Sequence, residues 1–210
     1  MNPKFQAAMA RLPLVAILRG VRADEAPAIL HSLLDAGFTL VETPLNSPDA
    51  FASIAAMRAL APPDVVIGAG TVLELADIER VSVAGGDLIV MPHADAILIR
   101  AAKARGLIAL PGVATPSEAF VAMAAGADGL KAFPAEMITP AILKAWRAVI
   151  PKTMPILPVG GIGPADMAAY VAAGAQGFGL GSALYRPGDS ASQVAVKAAD
   201  FVVAWRKLAP

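Results

Sequence analysis

Residues 107–133 read LIALPGVATPSEAFVAMAAGADGLKAF, and this stretch decides the fold. It opens with a short apolar run, 107–111, of strand length. Thr115-Pro116 then puts a hydroxyl acceptor ahead of a proline suited to the first helical position, and Thr115 with Glu118 makes a capping box. The Ala-rich segment that follows ends at Gly126, a residue that tolerates the left-handed conformation of a helix C-cap. A second apolar run, 129–133, closes the unit. Strand, helix and strand joined in this way form a parallel crossover.

Working outward, the same unit recurs along the whole chain. Further strand candidates are 14–18, 40–45, 65–70, 87–91, 155–159 and 177–180. Ser47-Pro48 and Thr139-Pro140 repeat the hydroxyl–proline helix start, and Gly37, Gly106 and Gly174 repeat the glycine stop. Ala36-Gly37-Phe38, Ala125-Gly126-Ala127 and Ala173-Gly174-Ala175 mark the same point of successive units. Regular alternation with about eight strands implies an α/β fold, and at this length a (β/α)8 TIM barrel over residues 1–210 as a single domain.

Composition agrees. Hydrophobic residues make up 57% of the chain and are spread evenly, as expected of strands buried on both faces. No apolar run approaches the roughly 18 residues of a membrane span. Residues 1–12 lack the apolar core and cleavage site of a signal peptide, so a cytoplasmic enzyme is expected. Lys+Arg and Asp+Glu balance at 17 each, which argues against nucleic acid or an anionic membrane as partner. The absence of cysteine removes thiolate metal sites and thiol nucleophiles. His31 and His93 stand in no metal-binding spacing, so neither a metal nor another cofactor is expected. His31 reads as a mid-helix residue, while His93, after strand four, stays a minor candidate for the site.

Active sites of such barrels lie at the C-terminal ends of the strands, so polar residues there require a reason. Lys131 sits late in Gly129-Leu130-Lys131-Ala132-Phe133, whereas the other lysines fall in helical or terminal segments. Burying an ammonium lowers its pKa and favours the neutral amine that attacks ketones. The competing reading is a snorkelling or ion-paired lysine. Glu42, in Leu40-Val41-Glu42-Thr43-Pro44, occupies the matching place in strand two, where a carboxylate of raised pKa can shuttle protons. Its alternative is an ion pair with Lys131. Arg19, ending strand one, offers a bidentate guanidinium for a carboxylate or phosphate, or else a rim salt bridge. Gly68-Ala69-Gly70-Thr71 allows close backbone approach to a ligand, with the Thr71 hydroxyl beside it. Gly160-Gly161-Ile162-Gly163 and Gly179-Leu180-Gly181-Ser182 follow strands seven and eight, where barrels of this kind build phosphate sites from backbone amides. Asp128 and Glu136 flank Lys131 and are expected outside the pocket.

Four segments together resemble the KDPG/KHG aldolase family. They are Leu12-Pro13-Leu14-Val15-Ala16-Ile17-Leu18-Arg19-Gly20, Val41-Glu42-Thr43-Pro44-Leu45-Asn46-Ser47-Pro48, Ile67-Gly68-Ala69-Gly70-Thr71-Val72 and Leu130-Lys131-Ala132-Phe133-Pro134-Ala135-Glu136. The likeness runs in order through the chain and takes in Pro111-Gly112 and both glycine loops. It implies a class I aldolase in which Lys131 forms the Schiff base and Glu42 moves the proton. By the same resemblance Arg19 contacts the substrate, Thr71, Pro111 and Gly112 line the pyruvate end, and Gly160, Gly161, Gly181 and Ser182 hold the phosphate. It further implies pyruvate and glyceraldehyde 3-phosphate as products, no metal, and a homotrimer. Enzymes of the gluco branch resemble one another in having threonine before the glycine pair of strand seven and arginine shortly after the strand-two glutamate. Here those places hold Val159 and Asn46, which points to the galacto epimer of the phosphorylated 2-keto-3-deoxy acid, since a missing hydrogen-bond partner strongly affects discrimination. Ala132 and Ala135-Glu136-Met137 depart from the galacto pattern. The alternatives are a gluco-type or 4-hydroxy-2-oxoglutarate aldolase, which would use the same two residues, a phosphosugar-binding barrel, which would have no use for a lysine in strand six, and a non-catalytic oligomeric scaffold, which would form no imine with pyruvate.

Overall fold

The computed structural model describes residues 1–208. Short apolar runs give strands β1 (Leu14–Ile17), β2 (Leu40–Pro44), β3 (Val66–Gly70), β4 (Leu88–Val90), β5 (Ile108–Leu110), β6 (Gly112–Val113), β7 (Leu130–Ala132), β8 (Ile156–Pro158) and β9 (Phe178–Leu180). The helices are α1 (Pro3–Arg11), α2 (Ala26–Ala36), α3 (Ala50–Leu60), α4 (Leu75–Val83), α5 (Ala96–Ala104), α6 (Pro116–Ala124), α7 (Pro140–Trp146), α8 (Met167–Ala172) and α9 (Ala191–Arg206). The result is an α/β fold whose strands all pair in parallel. β5-β4-β3-β2-β1-β9 form one sheet and β6-β7-β8 a second.

The expected strand 107–111 is divided by Pro111, which has no N–H to give to a ladder. Its carbonyl still accepts from Lys131 N at 2.9 Å, so that β6 runs in register with β7 while β5 pairs with β4. At the other side a parallel bridge between Val159 and Gly179 carries β8 toward β9.

Side-chain alternation sorts the strands into two cores. Val15, Leu40, Val66, Leu88, Val90, Ile108, Leu110 and Leu157, drawn from both sheets, pack together on the inner face. Their neighbours of opposite parity, among them Leu14, Ala16, Val41, Ile67, Ile89, Leu130, Ala132 and Phe178, meet the helices. The inner cluster is completed by Phe5 and Ala8 of α1, a helix the sequence reading did not assign. Its start signal is Asn2 before Pro3, with the Asn2 side chain accepting from Lys4 N at 2.9 Å. Fully burying Phe5 contributes on the order of 2 kcal/mol.

The capping box at Thr115 and Glu118 forms as expected, and Thr139 caps α7. Ser47-Pro48 does not start α3. That helix begins at Ala50 behind Asp49, and the Ser47 hydroxyl instead accepts from Gly20 N at 2.8 Å, tying the loop after β2 to the loop after β1. Gly37, Gly106, Gly126 and Gly174 adopt the positive φ expected of helix stops. Among the described residues no helix is long and apolar enough to cross a membrane.

Candidate active site

The parity that makes the inner core also places the two candidate catalytic groups. Glu42 follows Leu40 by two residues on β2, and Lys131 lies between the outward-facing Leu130 and Ala132 on β7. Both side chains therefore turn inward, each from the middle residue of its strand. Glu42 is 2% exposed and Lys131 7%. Together with Val15, Ile17, Val90, Leu110, Leu157, Val159 and Gly179 they line an inner space of about 10 Å³, close to the volume of a single water.

Neither group is neutralised by an ion pair: no salt bridge joins Glu42 to Lys131 or to any other described residue, and Glu42 Oε2 has no hydrogen-bond partner. The simple ion pair considered from sequence is therefore not formed. Each still feels the other's charge. Burial raises the Glu42 carboxyl from its ordinary 4.5 to about 7, against the pull of Lys131 and Arg19 in the opposite direction. Burial holds the Lys131 amine below its ordinary value, with Glu42 opposing that shift and Arg19 adding to it. Lys131 Nζ also lies 4.4 Å from the Phe133 ring centroid.

The glycines near this pair have specific reasons. A Cβ at Gly70 would stand 1.9 Å from Glu42 Oε2, so the close approach read from Gly68-Ala69-Gly70-Thr71 serves the carboxylate itself. Thr71 follows at φ 56, an uncommon conformation for a β-branched residue and one that concentrates at functional sites. Gly112 pairs with Lys131 in register and leaves room for the Pro92 and His93 backbone, where a Cβ would meet Pro92 at 2.4 Å. Thr71, Pro111 and Gly112 line neither the inner space nor the larger cavity next to it. His93 is exposed and lines neither of them.

That larger cavity, about 570 Å³, shares Ile17 and Val159 with the inner space as walls. Arg19, Gly160, Gly161, Gly181 and Ser182, all expected from sequence, line it. Gly160 and Gly161 sit at φ 122 and 61, open to few residues but glycine. The turn after β9 begins with Gly181, whose carbonyl accepts from Leu184 N and Tyr185 N. Among the described residues no backbone carbonyl accepts from the N–H of Ser182 or Ala183, so the start of this turn has amides to offer an anion. Arg19 is held by Asn46, whose Oδ1 accepts from its Nη1 at 2.6 Å.

Three polar wall residues were not expected. Arg186 donates through Nε to Ser182 O at 3.0 Å, and the signal for it was an arginine four residues beyond the Gly181-Ser182 turn. Tyr185 is buried, its hydroxyl has no partner among the described residues, and burial pushes that hydroxyl up to about 12. Glu136 lines the cavity, against the expectation that it lies outside. The loop after β7 folds over the Gly160-Gly161 turn because Ala135 N donates to Val159 O at 2.9 Å. Asp128 does lie outside. It is saturated at the far ends of the strands by Asn2 N, Ala109 N and Lys103. Arg19 and Arg186 form no salt bridge with any described residue, so a chain of zero net charge presents two guanidiniums without acidic partners to this one cavity.

Comparison with known proteins adds the following. The sequence pattern of the family described as KDPG and KHG aldolase matches residues 5–199. The chain is 47% identical over 193 residues to the probable 2-dehydro-3-deoxy-6-phosphogalactonate aldolase of Rhizobium meliloti (strain 1021), covering 92% of this chain and 91% of that protein. It is 44% identical over 197 residues to the 2-dehydro-3-deoxy-6-phosphogalactonate aldolase of Escherichia coli (strain K12), covering 94% and 96%. A solved structure described as native KDPGal superposes with a TM-score of 0.92 at 44% identity, over 94% of this chain and 96% of the other.

Proposed function

Because the chain belongs to the KDPG and KHG aldolase family and is thus a carbon–carbon lyase, we propose that it cleaves 2-dehydro-3-deoxy-6-phosphogalactonate to pyruvate and D-glyceraldehyde 3-phosphate through a Schiff base on Lys131. One observation carries the assignment of roles. Of the buried acidic and basic side chains among the described residues, Asp128 is saturated, while Glu42 and Lys131 face the interior without an ion pair.

The chemistry follows from their protonation. The neutral Lys131 amine adds to the C2 ketone, and the carbinolamine loses its oxygen as water once Glu42 supplies a proton. In the resulting iminium, C3–C4 cleavage sends the bonding pair into the iminium as Glu42 carboxylate takes the proton of the C4 hydroxyl, releasing the aldehyde. The enamine is reprotonated at C3, and water returns pyruvate and the free amine. A carboxyl that titrates near neutrality can give and take these protons in turn. The aldehyde's phosphate falls to the amides of Gly160, Gly161, Gly181 and Ser182 with Arg186. Arg19, held by Asn46, receives the substrate carboxylate, and Thr71 with Pro111 and Gly112 backs the pyruvyl end. Val159, standing between the two spaces, offers the C4 hydroxyl no partner, which favours one epimer.

The closed eight-stranded barrel is the architecture that suits this site. The Val159–Gly179 bridge and the single inner core drawn from both sheets support it. A homotrimer suits the exposed apolar side chains Ile97, Phe120 and Val121, and light scattering would measure it. The test of function is pyruvate release, coupled to a dehydrogenase, from each C4 epimer separately. Faster release from the galacto epimer is expected. Equal rates would remove the specificity, and no release from either would remove the aldolase assignment for these substrates.

A further inference from the structure

The cavity wall carries one feature that the reaction above does not use. Glu136 is an acid placed among groups suited to an anion. Its position is fixed by its neighbour: Ala135 N donates to Val159 O at 2.9 Å, and Ala135 O accepts from the Tyr170 hydroxyl at 2.9 Å. The carboxylate consequently lies on the glycine turn. A Cβ at Gly160 would stand 2.3 Å from Glu136 Oε2, and one at Gly161 would stand 3.1 Å from Oε1. The backbone there can hold its positive-φ shape beside the acid only because neither residue has a side chain. Among the described residues no donor bonds to Glu136 and no cation pairs with it, even though Arg19 and Arg186 line the same cavity. Its negative field reaches its surroundings: Glu136, after burial and Asp166, is among the causes that raise the Tyr170 hydroxyl.

We propose that Glu136 sets the affinity of the phosphate end, acting as a resident negative charge on the Gly160-Gly161 turn that weakens the hold on phosphate. The inference rests on the reading that this turn binds the substrate's phosphate. A phosphate monoester carries close to two negative charges near neutral pH, so a fixed carboxylate on the same turn repels it. Arg186 and the turn amides attract the group, and Glu136 offsets part of that attraction. The consequence falls on the product side. Glyceraldehyde 3-phosphate keeps the phosphate but has lost the covalent link to Lys131, so its departure is governed by the noncovalent contacts that Glu136 weakens. Glu136 is thus a specificity residue acting on bound phosphate and has no part in breaking the bond.

The probe is inorganic phosphate as a competitive inhibitor of pyruvate release, compared between the wild type and Glu136→Gln. Glutamine keeps the shape and removes the charge. The expected result is an inhibition constant roughly tenfold lower in the variant at low ionic strength, with the difference shrinking as salt screens the charge. The KM of the phosphorylated substrate should fall in parallel, while inhibition by pyruvate, which engages only the Lys131 end, stays unchanged. A merely structural role for Glu136 would move the pyruvate constant as well and would not respond to salt. Equal phosphate inhibition of both proteins, or weaker inhibition of the variant, would overturn the inference and leave the phosphate reading intact. Failure of phosphate to compete in either protein would remove the phosphate reading, and the inference with it.

Discussion

Replacing Glu42 with glutamine should change how stability depends on pH, by an amount that the buried carboxyl itself fixes. Its pKa rises from 4.5 to about 7 on folding because the group is buried without a hydrogen-bond partner on Oε2. A group whose folded value is raised contributes stability that is fully present below its unfolded value and is lost as pH rises through the folded value. The wild type should therefore lose about 2.5 kcal/mol through this one group between about pH 5 and about pH 8, and the variant should not. Glutamine brings its own cost of about 1–3 kcal/mol for an amide without partners, but that cost is independent of pH and cancels in the comparison. The attraction between Lys131 and the Glu42 carboxylate is already contained in the folded value of about 7, since Lys131 lowers the carboxyl against the effect of burial. The assay is urea unfolding of both proteins at the two pH values, extrapolated linearly to water. The stability of Glu42→Gln relative to wild type should rise by about 2–3 kcal/mol from the lower to the higher pH. A stability difference equal at both pH values would refute the raised carboxyl, and with it the reason for assigning Glu42 the proton transfers.

Three further substitutions test other parts of the site. Asn46→Ala removes the 2.6 Å bond that holds the exposed Arg19, and steady-state kinetics should show KM rising by about three- to tenfold with kcat little changed. An unchanged KM would show that Arg19 needs no such support. Val159→Thr restores a hydroxyl between the two spaces and should raise kcat/KM for the gluco epimer relative to the galacto epimer by roughly tenfold. Gly70→Ala drives a methyl to within 1.9 Å of the Glu42 carboxylate, so activity should fall by at least about a hundredfold while circular dichroism still reports a folded chain. Near-normal turnover in that variant would argue that Glu42 has freedom to move.

The positions of Lys131 and Glu42 were legible in the sequence because they stood out as charged residues inside short apolar runs. Their inward placement follows from the faces that Leu40, Leu130 and Ala132 take in the structure. The glycine turns were legible for a similar reason, since backbone conformation restricts residue choice at Gly160 and Gly161. What escaped the sequence depends on contacts between distant loops. Ser47-Pro48 carries a local helix-start signal, but the hydroxyl is taken by Gly20, twenty-seven positions away in the chain, and the helix starts later. Glu136 looked peripheral because it lies beyond the end of β7. It enters the cavity only because Ala135 is bonded to Val159 and Tyr170, a fact of the tertiary fold. Arg186 is an ordinary surface arginine by sequence and acquires its place through the turn that begins at Gly181. The helix α1 was missed for a different reason: its capping signal is local, but its purpose, closing the inner core with Phe5, appears only after the strands have assembled.

The central claim is that Lys131 is the covalent nucleophile, and the most direct measurement is reductive trapping. The protein would be incubated with pyruvate and borohydride, digested, and the modified residue located by mass spectrometry. A stable pyruvyl adduct on Lys131, formed in step with loss of activity and absent from Lys131→Ala, is the predicted result. An adduct confined to another lysine, or full retention of turnover in Lys131→Ala, would contradict it.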